Sequence, residues 1–88
     1  MIRHPGPGPS ATILVVEDDA ETRAALVREL TAGGYAVVEA PDGRTALERW
    51  ASRRPDLVLL DLGLPDIYGL LFVTSMRREA ATPIVILS

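Results

Sequence analysis

The chain has 88 residues, 48% of them hydrophobic and 24% charged, with a formal net charge of −3 and no cysteine. That length holds at most one small domain, and the composition is that of a globular protein rather than a disordered one. The acidic balance argues against this segment gripping a phosphate backbone, the missing thiols exclude disulfides and thiolate metal sites, and no apolar run reaches the ~20 residues that span a bilayer.

The first eleven residues, MIRHPGPGPSA, carry three prolines and two glycines. Proline donates no backbone hydrogen bond, so a disordered leader is expected here, without the apolar stretch of a signal peptide. The lone His4 falls in it, where a metal role is not expected. A cytoplasmic location follows as the default.

From Thr12 the pattern alternates. Ile13 to Val16 is an apolar, β-branched run and reads as a first strand. Asp19 to Thr31 then places Leu26, Val27 and Leu30 on one helical face before Gly33-Gly34 stops the helix. Tyr35 to Glu39 is a short second strand. Pro41-Asp42-Gly43, with Asp42 as N-cap, turns into a helix carrying Ala46, Leu47, Trp50 and Ala51, which Pro55 ends. Trp50 is expected to pack rather than to anchor a ligand. Leu57 to Leu60 is the third strand, 69 to about 79 a third helix with Leu70, Val73 and Met76 inward, and Pro83 introduces a fourth strand, Ile84 to Leu87.

Strands that are apolar on both faces and separated by helices imply a parallel sheet covered on both sides. The expected class is doubly wound α/β. Such sheets bind ligands outside the carboxyl ends of their strands, where the strand order reverses. Glu17 and Asp18 follow the first strand directly and Asp61 follows the third, so three carboxylates converge if those strands are neighbours. Acids so close repel one another and titrate together unless a cation sits among them. Mg²⁺ suits an all-oxygen set better than zinc, which prefers His and Cys.

A carboxylate can also act as a nucleophile, and phosphoryl transfer asks mainly for positioning and charge neutralisation. Asp61 is the candidate. On residues alone a plainer reading stays open for Asp18 and Asp19, because Asp18-Asp19-Ala20-Glu21 is also what a helix start favours. Asp61 resists that reading, since it precedes Leu-Gly rather than opening a helix. Asp66 reads as a turn residue before Gly69.

The strings ILVVEDD (13–19), PDLVLLDLGLPD (55–66), Gly69 and PIVILS (83–88) together resemble the receiver domain of two-component response regulators. The resemblance covers nearly all of the chain after the leader, in order. It implies a flavodoxin-like sheet of order 2-1-3-4 and a domain over 12–88. It also implies Asp61 as phosphoacceptor, Asp18 as a direct Mg²⁺ ligand with Glu17 acting through water, and the Gly63 backbone carbonyl as a further ligand. Ser88 takes the switch position, where its hydroxyl would hydrogen-bond the phosphoryl group. The implied partner is a sensor histidine kinase, and the output is control of transcription by another part of the protein. The wording LGLPD looks most like winged-helix transcriptional regulators, including those of potassium-uptake operons.

In that family a fifth strand with a lysine and two further helices follow the fourth strand. The sequence in hand stops at Ser88. A partial domain is therefore expected, with weakened phosphoryl binding and an open sheet edge that favours association with further copies. Two rival functions stand beside the receiver. One is a fragment that acts only through association. The other, a phosphohydrolase of the haloacid dehalogenase type, needs a second aspartate two residues after the first, where Gly63 stands.

Overall fold

A computed structural model describes residues 11–61, 74, 75, 77, 78 and 82–87. Residues 1–10 of the leader, Gly63, Asp66, Gly69, Ser88 and Leu70, Val73 and Met76, which were expected to face inward, lie outside the described residues. The elements in chain order are β1 (Thr12–Val16), α1 (Ala20–Ala32), β2 (Ala36–Ala40), α2 (Gly43–Arg53), β3 (Leu57–Asp61) and β4 (Ile84–Leu87). Residues 74, 75, 77 and 78 are helical, within the span expected for a third helix.

The four strands form one parallel sheet of order β2-β1-β3-β4. That order bears out the doubly wound, flavodoxin-like class. The chain steps from β1 to β2 in one direction and then crosses back over β1 to β3. With right-handed crossovers, the reversal puts α1 and α2 on opposite faces. The reversal also sets the cleft between the carboxyl ends of β1 and β3.

Burial shows why β1 is central. Ile13, Leu14, Val15 and Val16 are all buried, so both faces of this strand are covered. On one face Leu14, Val16, Val58 and Leu60 meet Ala40 and the Ala46 and Trp50 side chains of α2, with Val38, Leu47 and Ile84 at the margin. Each large side chain so buried contributes roughly 1.5–3 kcal/mol. The expected face of α2 differs in one place: Ala51 is exposed, while Ala46 and Trp50 are buried and Leu47 is half-buried. The α1 face is shallower. Leu26, Val27 and Leu30 do point inward, but they are only half-buried, and no residue of α1 is fully buried.

β3 also departs from the expectation that its apolar run is buried on both sides. Val58 and Leu60 are buried, while Leu57 and Leu59 are half-buried. The two sheet edges differ more. β2 carries Glu39, whose carboxylate pairs with Arg23 of α1 at 3.2 Å. β4 carries no charge, and its Val85 and Ile86 are 45% and 51% exposed. Among the described residues, no strand pairs with its outer side.

The helix ends follow local chemistry. Asp19 caps α1 by accepting from the Thr22 amide at 2.8 Å and the Thr22 hydroxyl at 2.6 Å. Asp42 caps α2 in the same way, from the Thr45 amide at 2.7 Å. These aspartates, three residues before a threonine, satisfy amides that the helix itself leaves unpaired. α1 ends at Gly33, and the chain turns through Gly34 at φ 94, a left-handed conformation that costs glycine little. α2 ends ahead of Pro55, with Arg54 at φ 45 and its guanidinium 4.9 Å from the Trp50 ring centroid. No helix among the described residues is long and apolar enough to cross a membrane.

Candidate metal centre and phosphoacceptor site

Strand register builds this site. β1 and β3 run in parallel with Val16 opposite Leu60, so the next residue on each strand is Glu17 on one side and Asp61 on the other. The entry ends are pinned as well. Asp56 donates its amide to the Thr12 carbonyl at 2.8 Å and accepts from the Thr12 amide at 2.7 Å. A one-residue slip would turn Asp61 to the other face of the sheet.

At the cleft one carboxylate oxygen from each of Glu17, Asp18 and Asp61 lies within 4.8 Å of the others. The convergence expected from sequence is therefore present. Glu17 is 7% exposed, Asp61 half-buried and Asp18 exposed. Gly63 and Ser88, the other two site residues expected from sequence, lie outside the described residues.

The electrostatics are those of crowded acids. Burial, hydrogen-bond contact with Asp61 and Asp18, and the Asp61 charge push the Glu17 carboxyl above its ordinary value, while the Asp19 amide, 3.2 Å from Glu17 Oε2, pulls the other way. Two ionised carboxylates have no proton to share in a hydrogen bond, so this contact needs either a proton or a cation between the groups. A donor set made only of carboxylate oxygens, gathered at one strand-end cleft, has the chemistry that suits a hard divalent ion rather than zinc.

The backbone around Glu17 is held independently. Its amide donates to the Ala40 carbonyl at 3.0 Å, and its carbonyl accepts from Arg23 Nη1 at 2.8 Å. Arg23 was absent from the residues singled out by sequence. A signal was available: a positive residue in the first turn of a helix opposes the helix dipole and needs a compensating reason.

The receiver-domain family model for response regulators matches residues 13–88. The chain belongs to that family. Among curated relatives, the Escherichia coli KDP operon transcriptional regulatory protein KdpE is 41% identical over 76 residues, covering 86% of this chain and 34% of its own length. The alkaline phosphatase synthesis transcriptional regulatory protein SphR of Synechococcus elongatus is 43% identical over 94 residues, covering 96% of this chain and 37% of its own. The chain thus spans about a third of the length of the curated relatives it matches. Both are transcriptional regulators, in keeping with the subfamily suggested by LGLPD.

Solved receiver structures share the fold. The Vibrio cholerae chemotaxis protein CheY4 superposes with a TM-score of 0.80 at 32% identity, over 88% of this chain and 67% of that one. The BeF3-activated receiver domain of Klebsiella pneumoniae RstA gives 0.77 at 37% identity, over 85% and 64%. In this receiver domain Asp18 and Asp19 divide the two roles left open by their sequence. Asp18 joins the cluster, and Asp19 caps the helix.

Proposed function

We propose that this receiver domain accepts a phosphoryl group on Asp61 from the phosphohistidine of a sensor histidine kinase, and that Mg²⁺ held by Glu17, Asp18 and Asp61 is required. The observation that carries the proposal is the three-carboxylate cluster at the β1/β3 reversal in a chain of this family. The Gly63 carbonyl is proposed as a further ligand and the Ser88 hydroxyl as a hydrogen-bond donor to the phosphoryl group. When bound, Mg²⁺ supplies positive charge against the phosphoryl oxygens and relieves the repulsion among the acids.

The chain's own part is positional. Asp61 Oδ forms the new bond to phosphorus while the P–N bond of the donor breaks, and the histidine leaves with the electron pair. β3 holds that oxygen at the mouth of the cleft, and Glu17, buried beside it, offers a second carboxylate to the same cation. The acyl phosphate returns its phosphoryl group to water, so the domain is a signalling acceptor and not an enzyme of turnover. The exchange is proposed to occur in the cytoplasm, with transcription as the output through parts of the protein other than this acidic segment.

Incubation with acetyl phosphate and Mg²⁺, followed by intact mass, tests the proposal. One phosphoryl adduct is expected on the wild type and none on Asp61→Asn. An adduct that survives the substitution, or a folded wild type that never gains one, overturns the assignment of Asp61.

The uncharged β4 edge favours a second reading, in which the chain associates with further copies through that strand. Light scattering should then show a dimer or larger species that Val85→Lys disperses. A wild type that stays monomeric at high concentration would remove this reading and leave the acceptor proposal untouched.

A further inference from the structure

Arg23 stands where the helix dipole disfavours a cation, and it makes two bonds that explain its presence. Nη1 donates to the Glu17 carbonyl at 2.8 Å, and Nε donates to the Glu39 carboxylate at 3.2 Å. One guanidinium thereby ties the first turn of α1 to the ends of both β1 and β2. The side chain is only 19% exposed; its bond to the Glu17 carbonyl is partly shielded from water, while the bond to Glu39 lies at the surface.

The carbonyl it grips belongs to the planar peptide unit that joins Glu17 to Asp18. Together with the Glu17 amide, bonded to Ala40, this fixes the backbone on both sides of Glu17. The directions in which the Glu17 and Asp18 side chains leave the chain are set by that backbone. We infer that Arg23 is a positioning residue for the acid cluster: it clamps the Glu17–Asp18 peptide and so holds the two carboxylates that follow β1 toward Asp61. This inference rests on the cluster being the cation and phosphoacceptor site.

The chemistry calls for arginine. A planar fork reaches two acceptors on two strands at once, whereas a lysine ammonium on one flexible stem does so poorly. Glu39 anchors the far side of the fork, and Gln at that position keeps an acceptor while removing the charge.

Arg23→Gln, Arg23→Lys and Glu39→Gln test the clamp in two measurements. In metal-free protein, amide hydrogen exchange should quicken at Asp18 and Asp19 in Arg23→Gln while Leu14 and Val58 keep their wild-type rates. In an NMR titration with MgCl₂, which reads only the folded protein, affinity should fall about tenfold, the lower end for residues that orient metal ligands. Arg23→Lys should recover little of it, and Glu39→Gln should lose less than Arg23→Gln. Unchanged Mg²⁺ affinity in Arg23→Gln overturns the inference, as does exchange that quickens equally at Leu14 and Val58, the mark of a merely stabilising tether. A wild type with no Mg²⁺ response sinks the site assignment instead, and the metal-free exchange pattern then still decides whether the clamp exists.

Discussion

Five acids sit at or near two kinds of place in this receiver domain, and the two kinds differ in what surrounds the carboxylate. Asp19 and Asp42 stand at helix N-termini, where threonine amides and hydroxyls donate to them and hold their carboxyls below the ordinary range. Glu17, Asp18 and Asp61 stand at strand ends, where their nearest polar neighbours include one another, and burial beside Asp61 holds Glu17 above it. A carboxylate met by donors is already stabilised in its charged form. One met by other carboxylates stores repulsion that a cation can release. The contrast separates acids whose charge is met by helix-end donors from acids crowded against one another, although Asp18 and Asp19 are neighbours in the chain.

The largest effect expected from the contrast is in the response to metal. Mg²⁺ at a hundred times its dissociation constant should stabilise the wild type by about 2.7 kcal/mol, read as a rise in unfolding midpoint. Asp18→Asn and Glu17→Gln should remove most of that rise. Asp42→Ala should leave it intact, because its carboxylate lies in the other class. If Asp42→Ala blunts the metal response as much as Asp18→Asn does, the division between the classes is wrong.

Next in size is the loss of a cap. Asp42→Ala should cost about 1 kcal/mol, a drop in melting temperature of roughly 4–8 °C for a domain this small, with or without metal. Asp42→Asn, which still accepts from the Thr45 amide, should recover most of it. Equal losses for Ala and Asn would mean that charge at the helix end, rather than the hydrogen bond, sets the contribution.

Most of this contrast was legible in the sequence, and the parts that were not have physical reasons. The strand-helix alternation showed through because β1 is buried on both faces and α2 carries its apolar residues at helical spacing. The convergence of Glu17 and Asp61 followed once β1 and β3 were taken as neighbours, since each acid comes one step after paired residues. Two things were not legible in the residues alone. Asp18 and Asp19 are identical residues side by side: the receiver resemblance singled out Asp18, and the backbone turn into α1 is what leaves Asp18 at the cleft and Asp19 at the cap. Arg23 acts through a backbone carbonyl, an acceptor that every residue possesses and that leaves no mark in a pattern of side chains. The exposure of Ala51 and the half-burial of Leu57 and Leu59 belong to a third kind, because periodicity shows which face a residue is on but not how far the opposing layer covers it.

The smallest effect is the most discriminating, because the two classes oppose each other in pH. Glu17 has a folded-state pKa raised above its ordinary value of 4.5, so the stability linked to its proton is complete below that value and fades as pH rises through the folded one. Asp19 and Asp42 have folded-state values lowered from 3.8, so their contribution is complete above that value and is lost as pH falls through the folded ones. Metal-free protein taken down from neutrality should therefore gain stability as Glu17 protonates, and then lose it below pH 3.8 as the caps fail. Glu17→Gln should flatten the first limb, and Asp42→Ala should shrink the second. Saturating Mg²⁺ should reverse the first limb, because the ion needs the ionised carboxylates and acid then competes with it. Denaturant midpoints across this range, with and without the metal, read both limbs. A metal-free wild type that only declines from neutrality, with no rise for Glu17→Gln to remove, would mean that burial and the neighbouring acids do not disfavour the ionised Glu17 carboxylate in the folded protein.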